Sequence, residues 1–326
     1  MSQFVAVGSS GSGVRAMTSP DGINWSLQVS AADNSWQDIA WSPELGLLVA
    51  VASSGTGNRV MTSPDGVNWT IRATPVDNLW GDVVWSPGLA LFVATAGGLT
   101  GDSNHVMTSP DGINWTIRVT PPVVNSWNDV CWSPEVGLFV AVRGGAGTNR
   151  VMTSPDGINW TLREAFAFAW TGVTWAAGIG LFVAVADNGA ASSVMTSPDG
   201  ITWTLRTSPG EQWKSVVWSP DLDLLVAVAS GGPAGPMTSP DGINWTVRPI
   251  ATGVSWRGID WSPTLGEFAT VSSGGDRTMT SPDGINWTFR VGAGNFNWTS
   301  VVWTGEAVVP PPGAFWTQRL RATEVP

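Results

Sequence analysis

The hexapeptide Met-Thr-Ser-Pro-Asp-Gly occurs seven times in this chain, and a fold that does not repeat with it is excluded. The copies begin at Met17, Met61, Met107, Met152, Met195, Met237 and Met279, at intervals of 42 to 46 residues. That spacing is the length of one four-stranded blade of a β-propeller. The tryptophans keep the same register. One set follows the hexapeptide: Trp25, Trp69, Trp115, Trp160, Trp203, Trp245 and Trp287. A second opens the next segment: Trp36, Trp80, Trp127, Trp170, Trp213, Trp256 and Trp298. A third lies five residues further on, from Trp41 and Trp85 to Trp303. Together with Trp316 these sets account for all 22 Trp in the chain, so the count is a copy number.

Each unit reads as four short strands, for example Trp127–Trp132, Leu138–Val142, Arg150–Thr153 and Asn159–Arg163. Leu138–Val142 is a continuous apolar run, as expected of a strand buried on both faces. Asp-Gly between the third and fourth runs is a hairpin signal, because Gly takes positive φ without steric cost. No segment carries a 3.6-residue apolar period over a helical length. The spacing therefore predicts an all-β protein, a seven-bladed propeller over residues 1–303. Its closing blade draws three strands from residues 1–35 (Phe4–Val7, Val14–Thr18, Asn24–Gln28) and a fourth from Trp298–Trp303. Pairing the two ends hides edges that would invite aggregation. Residues 304–326 form a Pro-rich tail in which Gly313–Arg319 echoes Gly157–Arg163. That echo predicts a degenerate outer strand laid on a blade of the same ring, or a segment that docks on a neighbour.

Composition narrows the function. With 25 acidic against 15 basic residues and a net charge of −10, the chain is a poor nucleic-acid binder. No apolar run reaches the length of a membrane span, so no insertion is expected. The N-terminal residues lack the basic and apolar stretches of a secretion signal. One Cys (Cys131) and one His (His105) cannot build a Cys/His zinc site, and no cofactor or metal is expected. Cys131 falls in a strand and reads as a buried thiol; His105 reads as a loop residue.

The segment Ser-Pro-Asp-Gly-Ile-Asn-Trp resembles the Asp-box, or BNR repeat, of sialidases and related propellers. That motif is written Ser-x-Asp-x-Gly-x-x-Trp; here Gly follows Asp directly, so the loop is one residue shorter. The resemblance implies a structural role for Asp21, Asp65, Asp111, Asp156, Asp199, Asp241 and Asp283, accepting backbone N–H bonds across the turn, away from any active site. The Trp-rich units are also similar to repeat propellers of bacteriophage structural proteins and bacterial surface proteins. That similarity implies a virion or extracellular surface, with the cytoplasm as the alternative.

The sialidases use a Tyr nucleophile, a Glu and three clamping Arg, and this chain has no Tyr. Its Arg recur at one repeat position (Arg72, Arg118, Arg163, Arg206, Arg248, Arg290), which reads as scaffold. A glycosidase needs only two carboxylates. Asp38, Asp82 and Asp129 share a repeat position, and Glu164, Asp187, Glu211, Asp260 and Glu267 stand alone, but nothing in the sequence selects a pair. The expectation is a protein that is not an enzyme.

Length varies in two places only, the loop between second and third strands and the connection between blades. Strand parity puts both on one face, opposite the invariant Ser-Pro turns and Asp-boxes, and variable loops are where binding is found. Trp36, Trp80, Trp127, Trp170, Trp213, Trp256 and Trp298 begin on that face and suit stacking on sugars. The competing reading makes them packing between blades. The sequence thus predicts a propeller that binds a glycan or a partner protein at a virion or cell surface. The alternatives are a glycoside hydrolase with a carboxylate pair and an architectural phage virion protein whose tail is an inter-subunit contact.

Overall fold

The computed structural model describes residues 2–97, 104–122, 126–145, 147–231, 235–250 and 254–305. These form seven four-stranded antiparallel sheets, each in simple up-and-down order. We number the blades from the one the chain starts in. Blade 1 is the closing blade, in which Trp298–Trp303 pairs with Phe4–Gly8, followed by Ala16–Ser19 and Ser26–Gln28. Phe4 faces Trp303 across this seam, and Gln3 exchanges bonds with Thr304 just beyond it. The closure read from the sequence is therefore present. The tail from residue 306 on, with its Pro run and strand echo, lies outside the described residues.

Blade 4 illustrates the unit: Trp127–Ser133 innermost, then Leu138–Arg143, Asn149–Ser154 and Thr161–Glu164 outermost. The second strand is buried almost end to end, since neighbouring blades cover both its faces. The outermost strand has no buried residue and is held by one side-chain bond that recurs. Arg72, Arg118, Arg163, Arg206, Arg248 and Arg290 each donate Nε to a Thr hydroxyl on the third strand, at 2.8 to 3.2 Å. Gln28 does the same in blade 1, at 2.9 Å to Thr18. These Arg are scaffold, as their recurrence suggests.

The repeated Ser-Pro-Asp-Gly turn, which resembles an Asp-box and is given that label below, is built by its carboxylate. Asp111 Oδ1 accepts from the backbone N–H of Ile113 and Asn114 at 2.9 and 2.8 Å, and Asn114 Nδ2 donates to Oδ2. Asp21, Asp65, Asp156, Asp199, Asp241 and Asp283 repeat the backbone pair. Burial alone would raise these carboxyls, yet the bonds from Asn114 and Ile113 win and hold Asp111 at about 2. Gly112, next in the turn, has φ +69°, which explains why Gly and not another residue is repeated there.

The three Trp sets fill three places in the wedge between blades. Those of the Asp-box donate Nε1 to the carbonyl of the box Gly, as Trp160 does to Gly157 at 3.0 Å. Five of those closing the innermost strand pack on a second-strand Phe, with Trp132 and Phe139 centroids 4.5 Å apart, while Trp41 and Trp218 face Leu48 and Leu225. Several of these also bond the acid of the preceding blade's Ser-Pro turn, as Trp85 does to Glu44 and Trp261 to Asp221, at 2.7 and 2.8 Å. Those opening the innermost strand are the largest fully buried side chains of the ring. Each removes on the order of 150–250 Å2 from water, about 4–6 kcal/mol as an upper bound.

Candidate binding site at the axial mouth

Every innermost strand carries a bulge at the residue just after its opening Trp. The ladder skips Gln37, Gly81, Asn128, Thr171, Lys214, Arg257 and Thr299. An unpaired bulge residue is free to turn away from the sheet. All seven turn toward the ring axis and line one open concavity of about 560 Å3. The starts of the second-to-third-strand loops (Ser9, Ser53, Gly97, Ser273), the ends of the blade connections (Leu79, Ser126, Asn297) and, alone of the opening Trp, Trp127 complete its wall. The mouth therefore opens on the face where the loops vary in length.

The bulge residues do two different things. Asn128 Nδ2, Thr171 Oγ1 and Thr299 Oγ1 each donate to the carbonyl of the next blade's opening Trp, at 2.7, 2.7 and 2.9 Å. These three staple blade to blade. Gln37 bonds the hydroxyls of Ser35 and Ser53 at 2.9 and 3.0 Å. Lys214 and Arg257 lean outward to the rim instead. The Lys214 ammonium bonds Asp187 of blade 5, and Arg257 Nε bonds Ser273 Oγ of its own blade at 3.1 Å.

Below the mouth the channel narrows to a second space of about 310 Å3, lined by Asp38, Asp82, Asp129 and Asp260. The first three stand on adjacent blades, two residues after the opening Trp. Each carboxylate accepts a backbone N–H of the following blade: Val83 to Asp38 at 3.0 Å, Val130 to Asp82 at 2.6 Å, Val173 to Asp129 at 2.7 Å. Asp260 accepts from Trp303 and Trp261, at 2.7 and 2.9 Å. Asp82 is hydrogen-bonded to both Asp38 and Asp129, and two carboxyl groups can share such a bond only through a proton. Burial, and then the charges of Asp129 and Asp38, push Asp82 well above the usual carboxylate range. Burial likewise raises Asp38 and Asp129, and pushes Asp260 up to about 6 against the bonds from Trp303 and Trp261.

The residues singled out in the sequence can now be placed. Trp36, Trp80, Trp127, Trp170, Trp213, Trp256 and Trp298 are at most 2% exposed, so no ring face is left for a sugar. The bulge sends the next residue to the mouth while the Trp stays in the wedge between blades. His105 lies in the connection just before the third strand of blade 3, Val106–Ser109, as a loop residue, and it is fully buried there. Cys131 is buried as expected, and burial raises its thiol well above the ordinary value. Among the carboxylates, the structure brings together the three that the sequence placed at one repeat position. Asp260 joins them from a position where it stands alone. The mouth residues were missed because loop length was compared and residue identity was not. The position after the opening Trp holds six residue types in seven copies, in a strand whose end Trp do not change at all.

No protein-family model and no curated protein matches the chain. Solved structures with the same fold are numerous. A streptogramin B lyase aligns with a TM-score of 0.69 and 10% identity over 91% of each chain. The periplasmic gluconolactonase PpgL of Pseudomonas aeruginosa aligns with a TM-score of 0.67 and 13% identity, over 94% of this chain and all of the other. YCF48 bound to D1 peptide aligns with a TM-score of 0.59 and 13% identity, over 82% and 85%. At such identities the likeness defines a class by fold alone, the seven-bladed propellers, and that class holds enzymes as well as a peptide-bound protein. The expectation that the chain is not an enzyme is corrected accordingly. Its missing Tyr excludes the sialidase chemistry and no other, and two similar propellers, a lyase and a gluconolactonase, are enzymes without being sialidases.

Proposed function

We propose that this propeller is a recognition module that takes a polar ligand, a glycan or an extended segment of a partner protein, into the axial mouth. The mouth's seven bulge residues carry this reading. In a ring assembled from near-copies they are varied, polar and gathered at one concavity on the variable-loop face. Hydroxyls and amides there suit hydrogen bonding to saccharide hydroxyls or to a peptide backbone. The setting we propose is a virion or cell surface; the similarity of its repeats to phage and surface propellers supports it.

Gly81 offers a clean test. Its φ is ordinary, and a Cβ there meets only the Trp127 carbonyl oxygen, at 3.5 Å. Gly81→Phe should therefore put a ring into the mouth and narrow it, with its Cβ accommodated by the blade. Glycan-array and pull-down binding by the wild-type protein should disappear in this variant, while binding that survives it would place the ligand elsewhere.

The Asp38–Asp82–Asp129 trio supports a second reading. Carboxyls whose pKa values are pushed apart beneath an open mouth are the arrangement general acid–base hydrolysis uses. Turnover of a glycan that is abolished by Asp129→Asn but not by Asp111→Asn would favour it.

A further inference from the structure

The mouth is electrically lopsided. Blades 2, 3 and 4 place carboxylates two residues after the opening Trp, deep in the channel, beneath neutral Gln37, Gly81 and Asn128. Blades 6 and 7 place Ser215 and Gly258 at that depth, and a cation one residue earlier, at the rim. Lys214 is the single lysine of the chain. Among the described residues that line the mouth, Lys214 and Arg257 are the charged ones; the carboxylate paired with Lys214, Asp187, stands outside that lining. The recurrent outer-strand Arg are bound to their Thr partners, whereas Arg15 and Arg59 fold the variable loops by bonding Ser9, Asn34, Ser53 and Asn78 carbonyls.

Neither rim cation is used up by its partner. An ammonium has three donors, and Lys214 gives one to Asp187. A guanidinium has five, and Arg257, an exposed side chain, gives its Nε to Ser273 and keeps the two Nη groups that form a fork. Such a fork matches the paired oxygens of a carboxylate, sulfate or phosphate ester. The adjacent hydroxyls of Ser273 and Thr299 line the same side. In a chain of net charge −10, two cations on neighbouring blades at the rim of one cavity form a local exception.

We propose that the Lys214–Arg257 side of the mouth binds an oxyanion carried by the ligand. This rests on the mouth being the binding site and adds what kind of ligand enters it. The anion sits on the Arg257 fork with the Lys214 ammonium beside it. The uncharged remainder of the ligand extends over Gln37 and Asn128.

The test is calorimetric titration of the intact protein with glucose 6-sulfate, glucose 6-phosphate, glucuronate and glucose, at low salt. At least one charged sugar should bind about tenfold more tightly than glucose. Arg257→Gln should lose that advantage, Arg257→Lys should keep part of it, and Lys214→Gln should weaken it by a smaller factor. Raising salt from about 20 to about 200 mM should weaken the charged sugar and leave glucose unchanged. The three anions distinguish sulfate, phosphate and carboxylate as the preferred group. Equal binding of charged and uncharged sugars, all lost in Gly81→Phe, overturns the anion inference while leaving the mouth as the site. Charged-sugar binding that survives both Arg257→Gln and Gly81→Phe overturns the inference and the mouth reading together. No binding by any charged sugar overturns the inference alone, because array ligands lost in Gly81→Phe still locate the site.

Discussion

Aspartate does opposite work at two positions of this repeat, and the difference is solvation. In the Asp-box the carboxylate stays near water and collects backbone N–H bonds, so it remains charged. In the channel the same side chain is buried beside its copies, so a proton is retained. Asp111→Ala should cost about 1–2 kcal/mol, read from the urea unfolding midpoint, because two N–H groups lose a charged acceptor. Trp127→Ala should cost more, about 3–5 kcal/mol, since a fully buried ring leaves a cavity in the wedge. An effect within error for Trp127→Ala would mean that the set is not packing. The structural role of Asp111 and its equivalents was legible through the resemblance of their segment to the Asp-box. The burial of the Trp36-equivalent set was one of two readings the sequence left open, because a sequence pattern does not reveal which side of a bulge faces a neighbour.

Among the elements, the innermost strand is where a repetitive scaffold becomes a site. Its bulge keeps both Trp in the wedge and releases one intervening residue to the axis. Strand identity, strand order and ring closure were all readable, since each follows from local apolar runs and turn residues repeated in register. Bulges leave no such mark: the ladder slips by one residue without any change in the local composition. The Asp-box hairpin is the rigid counterpart at the other end. A Cβ on Gly112 would lie 2.9 Å from side-chain carbons of Leu47 and Val49 in the neighbouring blade, at a φ of +69°. Gly112→Ala should therefore destabilise by about 1–3 kcal/mol in thermal or urea melts, whereas Gly137→Ala, where a Cβ meets nothing within 4 Å, carries only the strain of its own positive φ and should cost less.

Taken as one ring, the protein should show a stability optimum in mildly acidic solution. The channel carboxyls have folded pKa values above their unfolded ones. Their contribution is fully present below about pH 4 and is lost as the pH rises through the folded values, about 6 for Asp260. The Asp-box carboxyls are depressed to about 2, so their contribution is present above about pH 4 and lost as the pH falls through that value. Melting temperature should thus be highest near pH 4 and decline toward pH 8. Asp82→Asn should flatten the decline, because the central member of the trio no longer ionises; an unchanged slope would contradict the shared proton. Closure is the other property of the ring as a unit. Removing Trp298–Trp303 should expose the Phe4–Gly8 edge and strip Phe4 of its Trp303 contact, 4.8 Å between centroids, giving a protein that aggregates on expression.

Binding at the mouth decides whether the divergent bulge residues are the functional surface. A ligand found on a glycan or peptide array should be titrated against wild type, Gly81→Phe and Arg257→Gln in one series. The arrangement predicts loss of binding in Gly81→Phe, a weaker but measurable affinity in Arg257→Gln, and unaltered melting curves in both. Full affinity in Gly81→Phe would contradict it, for a narrowed mouth that still binds as before is not the site.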